Sequence, residues 1–300
     1  MKGRGMDQAD GIRQMRQSGR PGARPLRVIA VTSGKGGVGK SNLVVNLGVC
    51  FARNGREVLI VDGDVGLANV DILLGIEPKY NFRHVLRGEQ SLGSVILTSA
   101  DGISVLPASS AGSDLIELTT EHKLHLMSEL DNLGNRFDTV LIDTPAGIGS
   151  NVLFFAASAQ DVIVEATPEP TSLADAYATI KVLALRCGVK RILLVVNQVS
   201  SQHEADDVYR RLTSVADRFL PVVIERLGAI PADESVKRAV MMQRPLAVQF
   251  PTSPASRAIE DLAIRLLARP MHDGPGGGMQ IFWSRLLNAN GPDEPDMEQP

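Results

Sequence analysis

The sequence predicts an α/β chain: a single, doubly wound, mostly parallel sheet flanked by helices, carrying a phosphate-binding loop after its first strand. Three observations lead there. Short β-branched runs recur along the chain and are continuously apolar, the pattern of strands buried on both faces. Helical stretches separate them, so the strands must be joined by crossovers. The glycine-rich segment Ser33–Ser41 sits between the first such strand and the first such helix.

The expected strands are Leu26–Thr32, Glu57–Asp62, Ile103–Leu106, Thr139–Asp143, Asp161–Ala166, Ile192–Asn197 and Val222–Ile230. Among the expected helices are Asn42–Asn54, Glu121–Leu133, Leu173–Arg186 and Ala205–Phe219. A chain of 300 residues, 44% hydrophobic, can build one large core of this kind. In such folds ligands bind at the carboxyl ends of the strands.

Composition narrows the function. A net charge of -3 supplies no global basic field for nucleic acid, so no direct nucleic-acid partner is expected. Cys50 and Cys187 have neither metal-pair spacing nor the number for a disulfide framework, and read as cytosolic thiols. No apolar run approaches the roughly 18–20 residues of a membrane span, and no secretory signal core precedes the first strand. The expected location is the cytoplasm.

The ends differ from the middle. Residues 1–27 hold seven basic and two acidic side chains, and residues 271–300 one Arg and five acids. Both are rich in Gly, Pro and polar residues. The organisation read from this is a basic N-terminal arm (1–25), a core (26–269), and a Gly-rich linker with a short amphipathic helix (279–288) and an acidic tail (270–300).

Ser33-Gly34-Lys35-Gly36-Gly37-Val38-Gly39-Lys40-Ser41 fits the phosphate-loop template through Gly34, Gly39, Lys40 and Ser41. Glycines let the backbone N–H groups converge on phosphates, and the following helix, through Asn42, adds its positive end. Lys40 is a charge for the β- and γ-phosphates, and the Ser41 hydroxyl is a Mg²⁺ ligand. Two further segments carry carboxylates to strand ends: Asp62-Gly63-Asp64, and Asp143 followed by Thr144–Gly149. Acids leaving a buried strand are costly unless they meet a cation or water. Asp143 therefore reads as a second Mg²⁺ holder, and its glycine-containing tail as a segment that senses the γ-phosphate. A guanine-reading Asn-Lys-x-Asp motif is missing, which favours ATP.

Lys35 makes the loop a deviant one, Lys-Gly-Gly-x-Gly-Lys-Ser/Thr, and here the chain resembles the MinD/ParA family of ATPases. The segment Asp62-Gly63-Asp64-Val65-Gly66-Leu67-Ala68-Asn69-Val70-Asp71 resembles the same family. The resemblance implies an ATP-dependent homodimer in which Lys35 reaches the partner's nucleotide. It implies that Asp64 positions the attacking water while Asp62 supports the Mg²⁺ shell. It also implies adenine contacts from Asn197, with Pro231 and Asp233 contributing from the end of the last strand; a turn or helix cap is the other reading of Asn197.

Within that family the chain resembles the FlhG (FleN) branch, which regulates flagellar number and placement. Asp7-Gln8-Ala9-Asp10-Gly11-Ile12-Arg13 is similar to an element through which that branch engages the GTPase FlhF. Glu169-Pro170-Thr171-Ser172-Leu173-Ala174-Asp175-Ala176-Tyr177 is similar to its segment after the fifth strand, although Thr171 and Ser172 also read as a helix cap. Met279, Phe282, Trp283, Leu286 and Leu287 would share one helical face, as in the family's membrane-targeting helices. That stripe implies reversible binding to lipids of the inner membrane face, or packing back on the domain. The branch further implies a flagellar transcription activator or switch-ring proteins as partners. A ParA-type partitioning ATPase and a MinD-type division-site regulator are the alternatives.

Overall fold

The computed structural model describes residues 25–64, 69–107, 129, 133 and 136–270. The arm element Asp7–Arg13, the expected 279–288 helix and almost all of the expected Glu121–Leu133 helix lie outside the described residues, as do Val65–Ala68.

One sheet of eight strands organises the chain, in the order β3-β4-β2-β5-β1-β6-β7-β8. Its strands are β1 (Arg27–Ser33), β2 (Val58–Asp62), β3 (Leu97–Thr98), β4 (Ser104–Leu106), β5 (Thr139–Ala146), β6 (Asp161–Ala166), β7 (Arg191–Val199) and β8 (Val223–Pro231). All neighbours pair in parallel except β3 with β4. The seven expected strands are all present, with ends shifted by at most three residues and Asp161–Ala166 unshifted. The exception to the sequence reading is β3, two residues long, which no periodicity can reveal.

The helices among the described residues are α1 (Lys40–Arg53), α2 (Val70–Leu74), α3 (Phe82–Leu86), α4 (Leu92–Val95), α5 (Ser150–Ser158), α6 (Pro170–Arg186), α7 (Gln202–Phe219), α8 (Glu234–Met241), α9 (Leu246–Gln249) and α10 (Pro254–Ala268). Alternation along each strand feeds two layers. Ile29 and Val31 of β1 enter a core with α1 and α10, while Val28 and Ala30 face the opposite core. On β7, Leu193 and Val195 join the first of these, and Ile192, Leu194 and Val196 pack with α6 and α7. Strands buried on both sides explain the continuous apolar runs.

β1 lies between β5 and β6: the crossover from β1 to β2 runs toward one edge of the sheet, and the later one from β5 to β6 runs toward the other. A crevice opens at the carboxyl end of such a strand. The loop from Ser33 to Lys40 leaves β1 at that point.

Candidate functional site

The phosphate loop is built by close approach. A Cβ on Gly34 would sit 2.1 Å from the Asp175 carbonyl carbon, so only glycine lets the loop lie against α6. Gly39 has φ +124, and a Cβ there would meet the Asn197 amide nitrogen at 2.3 Å. Ser33 closes the turn, its hydroxyl donating to the Lys35 carbonyl at 2.8 Å. The loop then enters α1, whose N-cap Gly39 offers no side-chain hydrogen bond and whose first turn holds no acid. By contrast, Ser201, Asp233 and Ser253 cap α7, α8 and α10 with their side chains. Among the described residues no side chain caps the start of α1, so its first N–H groups are placed as an anion receptor. Asn42 lies in its first turn, and Lys40 is buried beside it.

The carboxylates converge on the same place. β2 and β5 pair in register so that Asp62 is opposite Asp143, and Asp143 is also level with Val31 of β1. Burial, reinforced by the neighbouring Asp143, pushes Asp62 up to about 7; backbone N–H groups of Asp64, Val70 and Asn69 only partly oppose this. Burial likewise pushes Asp143 up to about 6, against the Lys40 charge and a hydrogen bond from the Ser41 side chain. Asp64 is half-buried and also raised by burial, with Lys40 pulling the other way. Lys40, Ser41, Asp62, Asp64 and Asp143 thus form one electrostatic cluster.

Asp143 Oδ1 is buried without a hydrogen-bond partner among the described residues. A buried orphan oxygen on a raised carboxylate, with a serine hydroxyl on its other side, is the donor chemistry of a hard divalent cation. These residues fit Mg²⁺. Beyond them, Thr144 is buried and donates to the Val31 carbonyl at 3.0 Å, so its hydroxyl braces β5 against β1.

Lys35 points elsewhere. Its Nζ lies 2.8 Å from Glu169 Oε2 and 3.3 Å from the Thr171 hydroxyl, both in the same chain. The pair is open to solvent, with side-chain exposures of 42% and 63%. Thr171 and Ser172 are not the cap of α6. The helix begins earlier, at Pro170, whose fixed φ suits a first helical position. Ser172 instead accepts the buried Thr167 N–H at 2.9 Å.

At the other rim, Asn197 turns onto the loop. Its Nδ2 donates to the Val38 carbonyl at 2.8 Å and to Glu165 Oε1 at 2.7 Å. Pro231 ends β8, and Asp233 caps α8, accepting from Ser235 N at 2.8 Å and Ala255 N at 3.1 Å. Burial raises the Asp233 carboxyl, but these hydrogen bonds outweigh it and hold the group below its ordinary value.

Glu165 was not anticipated from the sequence. It is fully buried in β6, and burial pushes it up to about 8 despite the Asn197 hydrogen bond and the charge of Lys40. The available signal was one acid inside the apolar run Val162–Ala166.

Comparison with known proteins adds independent findings. A family model described as an AAA domain matches residues 26–195. The antiactivator FleN of Pseudomonas aeruginosa is 40% identical over 263 residues, covering 88% of this chain and 94% of that protein. The flagellum site-determining protein YlxH of Helicobacter pylori is 32% identical over 270 residues, covering 88% and 91%. Among solved structures, the septum site-determining protein MinD of Pyrococcus horikoshii, complexed with Mg-ADP, superposes with a TM-score of 0.63. It is 26% identical, with 80% of this chain and 96% of that one covered.

Proposed function

The chain belongs to the MinD/ParA family of P-loop ATP hydrolases, and on that premise we propose that it is a Mg·ATP-driven dimerising switch of the FlhG/FleN type, regulating flagellar number or placement. The observation that carries the switch is the convergence of Lys40, Ser41, Asp62, Asp64 and Asp143 at the uncapped start of α1. The flagellar assignment rests on likeness to FleN and YlxH over 88% of the chain.

In this reading the N–H groups of Gly34–Ser41 and the Lys40 ammonium bind the triphosphate, and Asn42 extends the cradle. Ser41 and Asp143 would hold Mg²⁺, with Asp62 supporting the shell, and an ion held there would supply charge to offset that of the phosphate oxygens. Asp64, raised but next to Lys40, orients the attacking water. Lys35 leaves Glu169 and reaches the nucleotide of a second copy. A surface ion pair contributes about 0–1 kcal/mol, so Glu169 is a weak competitor for that lysine. The added cation stabilises charge on the transferring phosphoryl group. Asn197 and the Pro231–Asp233 turn border the adenine.

The further partners follow the same likeness: an FlhF-type GTPase at Asp7–Arg13, inner-membrane lipids at 279–288, and a flagellar transcription activator or switch-ring proteins. No described helix is long and apolar enough to cross a membrane, which accords with reversible attachment. Deleting the protein from its own cell and counting flagella by electron microscopy tests the assignment. Altered number or placement is expected, and wild-type flagella with misplaced septa would favour the division-site reading instead.

A further inference from the structure

Glu165 is the residue of this molecule that its fold has least reason to keep. It stands in β6 among Val162, Ile163, Val164 and Ala166, at 0% exposure. Its Oε2 has no hydrogen-bond partner among the described residues. A buried acid in a strand of aliphatic neighbours costs stability, and an apolar residue of similar size there is often neutral or better. Its one bond is specific: Oε1 accepts from Asn197 Nδ2 at 2.7 Å.

That bond matters because of what the same nitrogen does next. An amide nitrogen has two hydrogens. With one on Glu165, the other is aimed at the Val38 carbonyl, 2.8 Å away at the crown of the phosphate loop. Gln198, held at φ +59, brings a second donor to the same carbonyl at 3.3 Å. The loop lies directly on this assembly: a Cβ on Gly39 would be 2.3 Å from Asn197 Nδ2 and 2.9 Å from Glu165 Oε1.

We propose that Glu165 is a positioning residue for the nucleotide site: by holding the Asn197 amide, it ties Val38 of the phosphate loop to the ends of β6 and β7. The proposal rests on the reading of Ser33–Ser41 as the ATP site. The tether presets the curl that aims the loop N–H groups at phosphates. A loop released from it must be ordered by the ligand, which weakens binding without touching the water or the leaving group.

The test uses the full chain with Mg²⁺ and ATP, measuring ATP affinity by titration calorimetry, KM and kcat by phosphate release, and melting temperature. Glu165→Val is expected to weaken ATP binding and raise KM by about tenfold, the weight of one buried tether, with kcat within about twofold. Its melting temperature should stay level or rise. Glu165→Gln keeps an oxygen for Asn197 and should bind ATP within about twofold of wild type. In an Asn197→Ala background, Glu165→Val should add almost nothing. Wild-type affinity in Glu165→Val would overturn the proposal, as would Glu165→Gln failing as badly as the valine variant. Full additivity with Asn197→Ala would overturn it too. If wild type itself bound no ATP, the reading of the loop would fall first, and the tether with it.

Discussion

The two rims of the crevice are made alike and finished differently. At one rim, the start of α1 and the carboxyl ends of β2 and β5 bring together Lys40, Ser41, Asp62, Asp64 and Asp143; at the other, the carboxyl ends of β7 and β8 carry or lead into Asn197, Pro231 and Asp233. The first rim is under-partnered. Among the described residues Asp143 keeps an orphan oxygen and α1 starts without a side-chain cap, and Asp62 and Asp143 are pushed up to about 7 and about 6. The second rim is saturated by its own chain. Both hydrogens of the Asn197 amide are engaged, and Asp233 is held low by the N–H groups it caps. The lesson is that residue type alone does not mark a metal or phosphate site. Buried polar capacity left unspent where several charged groups converge does.

The contrast breaks most visibly at Lys40. Lys40→Ala should lower kcat/KM for ATP by at least about 100-fold in a phosphate-release assay, since this cation faces the triphosphate and the transition state together. Asp64→Ala sharpens the picture: kcat should fall about 100-fold while ATP affinity changes little, because its proposed role is toward the attacking water alone. Normal hydrolysis by that variant would remove Asp64 from the mechanism.

Asp143 and Asp233 make the direct pair. Asp143→Asn removes a buried charge, so the ligand-free protein should melt at the same or a higher temperature while Mg²⁺-dependent turnover is lost. Asp233→Ala should do the reverse. Losing the cap costs about 1–2 kcal/mol by denaturant titration and leaves ATP binding within a few-fold.

The last contrast is in pH. Raised carboxyls bind more protons folded than unfolded, so their contribution is complete below the ordinary carboxylate value near 4. It is lost as pH climbs through about 6, about 7 and about 8 for Asp143, Asp62 and Glu165. The ligand-free melting temperature should therefore decline from pH 5 to pH 8.5. Asp233 is held low and gives the opposite slope, confined to more acid conditions. A flat profile above pH 5 would mean the first rim is better solvated than its burial implies.

Much of this was legible in the sequence, for physical reasons that also mark where reading stops. Strands buried on both faces must be apolar throughout, so β1, β2, β5, β6 and β7 announce themselves. The loop Ser33–Ser41 is legible because phosphate geometry demands Gly39 and Lys40 at fixed spacing. What a linear pattern does not carry is pairing across the fold. That Asp62 stands opposite Asp143 follows from strand order, with β5 inserted between β1 and β2. The Lys35–Glu169 contact spans 134 residues, and the use of Asn197 by Glu165 needs β6 and β7 side by side. Pro170 suits the first position of a helix, and it starts α6, so the hydroxyls of Thr171 and Ser172 fall inside the helix and not at its cap.

The central claim is that ATP closes two copies of this chain through Lys35. Light scattering on wild type, Asp64→Ala and Lys35→Ala, each with Mg²⁺ and either ADP or ATP, tests it most directly. Expected are a monomer with ADP, a transient dimer for wild type with ATP, a persistent dimer for Asp64→Ala, and no dimer for Lys35→Ala. One mass under every condition, or a Lys35→Ala dimer as stable as that of Asp64→Ala, would contradict it.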